Sequence, residues 1–185
     1  MDIIIFGGSF NPVHWGHIGL AKWVLTHTPA DEVWLMVSPN NPLKEAATLA
    51  DEQERLAQVQ QAVEEANNSL GATLKGEDPH KRLRASDFEF GLPRPSYTAD
   101  TLRELQRTYP RHRFSLLIGE DNLKLFTRWR EWQFILQNFT VYVYPRHGST
   151  NDPVNLPTAQ AQIIYLHDAP YFDISSTEIR EKQKK

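Results

Sequence analysis

Ile3-Ile4-Ile5-Phe6-Gly7-Gly8-Ser9-Phe10-Asn11-Pro12-Val13-His14-Trp15-Gly16-His17 decides how this chain folds. Four consecutive apolar residues, 3–6, read as a short strand buried on both faces. Gly7 and Gly8 let the backbone turn sharply and approach a ligand closely. Pro12 stiffens the loop that follows. Ile18, Leu20, Ala21, Trp23, Val24 and Leu25 then recur at helical spacing, which predicts a helix over roughly 15–27. His14 and His17, three apart, therefore share one face of its first turn. A helix N-terminus carries partial positive charge and unpaired N–H groups, so it already favours an anion. Two imidazoles added there predict a polyphosphate cradle. A zinc site is a poor alternative, since a structural site wants four ligands and the chain has no cysteine.

Working outward, Glu32–Val37 reads as a second strand, ending in the loop Ser38-Pro39-Asn40-Asn41-Pro42-Leu43-Lys44. Asp51 is placed to cap a helix carrying Leu56, Val59 and Val63. Residues 67–81, polar and carrying Gly71 and Gly76, read as a surface excursion. A strand is expected over 83–90, and Thr98 is expected to cap a helix whose Leu102 and Leu105 face inward. Phe114–Ile118 reads as a strand delivering Gly119, Glu120 and Asp121 to its end, followed by short helices near 121–127 and 131–138. Strands over 140–144 and 163–166 flank a loop over 146–160, and Ser175 or Ser176 opens the last helix. This alternation predicts an α/β fold, a Rossmann-like doubly wound parallel sheet covered on both faces. Ligands then bind beyond the carboxyl ends of the strands, where strand order reverses. The loops after Phe6, Val37 and Ile118 all leave that edge.

Composition bounds the rest. At 185 residues, the chain fits a single domain spanning 1–185 with room for a full core. Hydrophobic residues make up 40% and charged residues 23%, ordinary for a soluble globular chain. Net charge is −3, with no basic block beyond Lys182, Lys184 and Lys185, which argues against broad nucleic-acid or membrane binding. An anion site must then be local. Zero cysteines exclude disulfides and thiol catalysis and suit a cytoplasmic home. The N-terminal apolar run is too short for a signal peptide, and no segment nears the roughly 18 apolar residues of a membrane span.

Ile174-Ser175-Ser176-Thr177-Glu178-Ile179-Arg180 is the second strong signal. Hydroxyls at a helix start cap the helix and still donate to phosphate oxygens. The forked guanidinium of Arg180, one turn along, reaches the same anion.

His14-Trp15-Gly16-His17 resembles the (T/H)xGH signature of the adenylyl- and cytidylyltransferase superfamily. The wider Gly7–His17 string, the Ile174–Arg180 run, Arg94-Pro95-Ser96-Tyr97-Thr98-x-Asp100-Thr101, and Ile118-Gly119-x-Asp121 with Trp129 resemble segments of bacterial nicotinate-nucleotide adenylyltransferases. The resemblance runs from Ile3 to Arg180. It implies a nucleotidyltransferase domain making deamido-NAD and pyrophosphate from ATP and nicotinate mononucleotide, in NAD biosynthesis. It implies Gly7, Gly8, Ser9 and Phe10 at the ATP phosphates, Ser9 also at the mononucleotide phosphate, and His14 and His17 at the ATP phosphates. Ser175, Ser176, Thr177 and Arg180 would hold the β- and γ-phosphates, Gly119 and Asp121 the adenosine ribose, and Thr98 and Trp129 the pyridine ring. Lys44 would be a phosphate ligand from its proline-framed loop.

From the residues alone, Asp121 suits ribose hydroxyls or a helix cap, and Trp129 suits a core position or an aromatic plate between Arg128 and Arg130. Two positions depart from the family pattern: Asn11 replaces a common aspartate, and Leu43 replaces a histidine before the basic residue. The sequence also stops five residues after Arg180, where the family usually continues with more helix.

No residue need form a covalent intermediate, because the mononucleotide phosphate can itself attack the α-phosphorus of ATP. Mg²⁺ is expected to arrive with ATP, since no carboxylate cage for it is visible. A monomer or small homo-oligomer is expected. Alternatives with the same chemistry use nicotinamide mononucleotide or phosphopantetheine as acceptor. A non-catalytic nucleotide sensor is the alternative from another class.

Overall fold

The computed structural model describes residues 1–39, 51–73, 81–146, 162–172 and 176–183. Six parallel strands form one sheet in the order β3-β2-β1-β4-β5-β6. They are β1 (Asp2–Gly8), β2 (Glu32–Val37), β3 (Arg82–Ser86), β4 (Arg113–Gly119), β5 (Thr140–Tyr144) and β6 (Ile163–Tyr165). The helices are α1 (Trp15–His27), α2 (Glu52–Thr73), α3 (Thr98–Thr108), α4 (Glu120–Lys124), α5 (Trp132–Asn138) and α6 (Ser176–Gln183).

The expected parallel, doubly covered sheet is present. Because side chains alternate along a strand, β1 and β2 divide their apolar residues between two cores. Ile4, Phe6, Val33, Leu35 and Val37 pack with Leu20, Val24, Val59 and Val63 from α1 and α2. Ile3, Ile5, Trp34 and Met36 pack with Leu102, Leu105, Leu123 and Ile135 on the opposite face. Burial on both faces is why β1 reads as an unbroken apolar run.

Strand order runs outward from β1 to β3, returns to β4 on the other side of β1, and runs outward again. The switch point therefore lies between β1 and β4. Gly8 of β1 pairs with Val37 of β2, and Gly119 of β4 with Tyr144 of β5, so these strand ends are level at the carboxyl edge.

Four local expectations are corrected. The polar stretch from Asn67 is helical as far as Thr73, because Ala66 and Leu70 extend the buried stripe of Leu56, Val59 and Val63. Within it, the Asn67 amide donates to the Leu83 carbonyl at 2.9 Å and accepts the Leu83 N–H at 2.9 Å, closing the free edge of β3. The strand expected over 83–90 stops at Ser86, whose hydroxyl accepts the Phe88 N–H at 3.3 Å and starts a 3-10 turn, Phe88–Gly91. Thr98 is the first helical residue of α3, and Tyr97 occupies the capping position. The helix expected over 121–127 ends at Lys124 and gives way to a 3-10 turn, Phe126–Arg128. Asp51 caps α2 as expected, accepting the Gln53 N–H at 2.8 Å. Residues 74–80 and the loop beyond Arg146 to Gln160 lie outside the described residues.

Candidate active site

The loop between β1 and α1 wraps around one buried ring. Phe10 adopts a left-handed backbone (φ 44°), uncommon for a bulky residue. Its ring is buried, edge-on to Phe6 at 5.7 Å and to His17 at 5.0 Å. Any phosphate contact from Phe10 must then come from its backbone N–H. A Cβ on Gly8 would stand 3.1 Å from that ring, whereas one on Gly7 would meet nothing within 4 Å. Gly8 is thus closely packed against that ring, and Gly7 faces open space. Ser9 is buried, and its carbonyl accepts the Arg55 guanidinium at 2.5 Å.

His14 and His17 interlock at the start of α1. The His14 backbone N–H donates to His17 Nδ1 at 3.2 Å, the His17 N–H donates to the His14 carbonyl at 2.9 Å, and the rings stack with centroids 3.6 Å apart. Nδ1 of His17, used as an acceptor, leaves the ring proton on Nε2. Nε2 is therefore an N–H donor, as an anion requires.

The second motif meets the first in space. Ser176 Oγ, at the start of α6, donates to the Pro12 carbonyl at 2.9 Å. Arg180 donates one guanidinium N–H to the Asn11 carbonyl and another to Thr177 Oγ1 at 3.0 Å. The β1–α1 loop, the first turn of α1 and the first turn of α6 thus form one cluster. Lys44 and Ser175 lie outside the described residues.

A cavity of about 240 Å³ opens at the switch point. Gly7 and Gly8 line it from β1, Gly119 from the end of β4, Asn122 from α4, and Thr98 and Trp129 from the start of α3 and the turn before α5. Four predicted residues remote in sequence (Gly8, Thr98, Gly119 and Trp129) are thereby brought together. Trp129 is half-buried against Phe126, ring centroids 5.0 Å apart, and its indole N–H is buried without a hydrogen-bond partner. Arg130 lies over the Tyr97 ring at 4.9 Å. Core packing and an aromatic wall are therefore combined in Trp129.

Gly119 sits so close to its neighbours that a Cβ would approach Asp121 Oδ1 to 2.4 Å and the Tyr144 and Arg146 side chains to 3.2 Å. Asp121 is engaged with Arg146, Oδ1 to Nε at 3.5 Å. It stands in the first turn of α4, where Gly119 holds the capping position, so the helix-cap reading of Asp121 is corrected. Among the described residues, no group of three or more His, Asp or Glu converges as a metal cluster, and no helix is long and apolar enough to cross a membrane.

Two charged residues beside the site, one buried and one half-buried, escaped the sequence reading. Arg55 is almost fully buried and donates to the Ser9, Ser38 and Pro39 carbonyls at 2.5, 2.9 and 3.2 Å, tying the β1 and β2 loops together. Its signal was available: Arg55 lies four before Val59, on the apolar side of α2. Glu89 lines the cavity and accepts the Thr101 hydroxyl at 2.9 Å and the Ser96 hydroxyl at 3.0 Å. Burial pushes its carboxyl above the ordinary value, against the pull of hydrogen bonds from Thr101, Ser96 and Ser38.

Comparison with known proteins matches residues 5–182 to the cytidylyltransferase-like family. The chain is 40% identical to a probable nicotinate-nucleotide adenylyltransferase of Flavobacterium johnsoniae, over 100% of this chain and 87% of that one. It is 44% identical to a probable nicotinate-nucleotide adenylyltransferase of Bacteroides fragilis, over 96% of this chain and 79% of that one. Among solved structures, Plasmodium falciparum nicotinic acid mononucleotide adenylyltransferase complexed with NaAD superposes with a TM-score of 0.69 at 16% identity. That match covers 97% of this chain and 82% of that one, and it speaks for the fold.

Proposed function

The chain belongs to the nicotinate-nucleotide adenylyltransferase family, and from that premise we propose how its own residues carry the family's reaction. The reaction transfers AMP from ATP to nicotinate mononucleotide, giving deamido-NAD and pyrophosphate. One observation carries the assignment of residues: Ser176 and Arg180 bond the carbonyls of Pro12 and Asn11, joining both motifs around one helix N-terminus.

ATP, entering as its Mg²⁺ complex, lays its phosphates across the start of α1. His14 and the Nε2–H of His17 donate to them, with backbone N–H groups of Gly8, Ser9 and Phe10 behind. Ser176, Thr177 and Arg180, with Ser175 and Lys44, hold the β- and γ-phosphates that leave as pyrophosphate. Gly119 lets the ribose approach the end of β4, and Asp121 accepts its hydroxyls. Nicotinate mononucleotide lies in the cavity, its ring against Trp129 and Thr98 and its phosphate near Ser9 and Lys44. That phosphate, already an anion, attacks the α-phosphorus in line. Catalysis then consists of holding two polyanions together and neutralising charge as it develops on the leaving oxygen. We read residues 1–185 as one cytoplasmic domain, a monomer or small homo-oligomer.

Pyrophosphate release from Mg-ATP with nicotinate mononucleotide, nicotinamide mononucleotide or phosphopantetheine tests this reading. Release fastest with the acid supports the acceptor site. Equal acid and amide rates overturn selectivity for the acid. Nucleotide-induced stabilisation without release from any mixture favours the sensor.

A further inference from the structure

Glu89 is a half-buried carboxylate on the cavity wall with no part in the chemistry above, and it sits where three chain segments meet. It accepts hydroxyl hydrogen bonds from Ser96, before α3, and from Thr101, within α3. Ser38, just after β2, lies close enough to Glu89 for its side chain to oppose the upward pull of burial on the carboxyl. The carbonyl of the same Ser38 accepts Arg55, which holds the carbonyl of Ser9 in the phosphate loop. Arg55 and Glu89 thus act as opposite ends of one connection, running from Ser9 through Ser38 to Ser96 and Thr101. Between Ser96 and Thr101 lie Tyr97 and Thr98, which wall the cavity.

We propose that Glu89 is a positioning residue for the acceptor: it fixes the Tyr97–Thr98 wall relative to the phosphate loop, so that the acceptor is held in line with bound ATP. This inference rests on the acceptor site proposed above. Two hydroxyl donors, from Ser96 and Thr101 at either end of the wall, converge on one carboxylate and restrict the wall more than a single contact could. Donor hydroxyls suit a carboxylate, which only accepts. The hydrogen bonds of Glu89 go to Ser96 and Thr101 rather than to the His14–Arg180 cluster, so its loss should act on the acceptor and spare ATP.

Steady-state kinetics with each substrate varied in turn provides the test. Glu89→Ala should raise KM for nicotinate mononucleotide about tenfold and leave KM for Mg-ATP within about twofold. Glu89→Gln keeps the shape, and the hydroxyls can reverse to meet its amide, so it should recover most of that loss. Thr101→Val removes one donor within an intact helix and decides the matter if the Glu89 variants do not fold. It should raise the acceptor KM about threefold. Parallel rises in both KM values, or an unchanged acceptor KM, would overturn the inference. Trp129→Ala separates the two readings: if it leaves the acceptor KM unchanged, the acceptor site itself is misplaced. If Trp129→Ala raises it and neither Glu89→Ala nor Thr101→Val does, only the role of Glu89 falls.

Discussion

The guanidinium of Arg180 donates to the backbone carbonyl of Asn11, so the last helix holds the first loop. The residues lie 169 positions apart, yet this bond puts a permanent positive charge beside the start of α1. Removing it should therefore cost both charge and loop geometry. Arg180→Ala is expected to reduce the rate of pyrophosphate release about tenfold to a hundredfold. Arg180→Lys should recover only part of this, because an ammonium cannot bond carbonyl and phosphate with one planar fork. Full activity in Arg180→Ala would remove α6 from the proposed site.

His17 makes a separable prediction. Its Nδ1 accepts the His14 N–H, which puts the ring proton on Nε2 as a donor. Loss of one charge-assisted bond that tightens in the transition state should lower kcat about ten- to a hundredfold in His17→Ala. The acceptor KM should stay near its wild-type value. A rise in that KM with kcat unchanged would place His17 at the acceptor instead.

Gly8→Ala tests the packing beneath the phosphate loop. The added Cβ would meet the buried Phe10 ring at 3.1 Å, and that ring is wedged against Phe6 and His17. Urea unfolding should show a loss of about 1–3 kcal/mol, as overpacking typically costs. Gly7→Ala, with nothing within 4 Å, should lose much less stability. Equal losses would contradict the assigned role of Phe10.

Glu89 predicts a pH dependence of stability. Burial raises its carboxyl above the unfolded value, outweighing the hydroxyls of Thr101, Ser96 and Ser38. Tyr97, Tyr144, Arg128 and Arg130 share its cavity. A raised folded value means that the fold binds the proton more tightly than the unfolded chain. The resulting stabilisation is complete below the unfolded value and is lost as pH rises through the folded one. Glu89→Gln cannot titrate at this position. The stability of wild type relative to this variant should therefore be greater near about pH 4 than near about pH 8, by urea midpoints. The opposite trend would mean that Glu89 is held mainly by charge attraction.

Local pattern made the scaffold legible. The run Ile3–Phe6, the paired glycines and the spacing from Ile18 to Leu25 bound β1, its loop and α1 closely, because each signal depends only on near neighbours. The end of α2 was hidden because Asn67, Asn68, Ser69 and Gly71 mask a stripe completed by Ala66 and Leu70, which are buried only by tertiary packing. Chain reversal after Ser86 depends on a side-chain contact at that residue, so apolar alternation alone carried the strand too far. At the candidate site, His14, His17, Ser176 and Arg180 stand out through motifs whose chemistry is local, and the fold brings those motifs together. Arg55 and Glu89 do not, since their hydrogen-bond partners come from loops that only the folded sheet brings together.

In the proposed reaction the acceptor phosphate attacks the α-phosphorus of ATP directly, with no enzyme-bound intermediate. Turnover of ATP carrying a chirally labelled α-phosphorus tests it most directly. A single in-line displacement predicts inversion at that phosphorus in the dinucleotide product. Retention would require two displacements through a covalent adenylyl-enzyme, and would contradict the account.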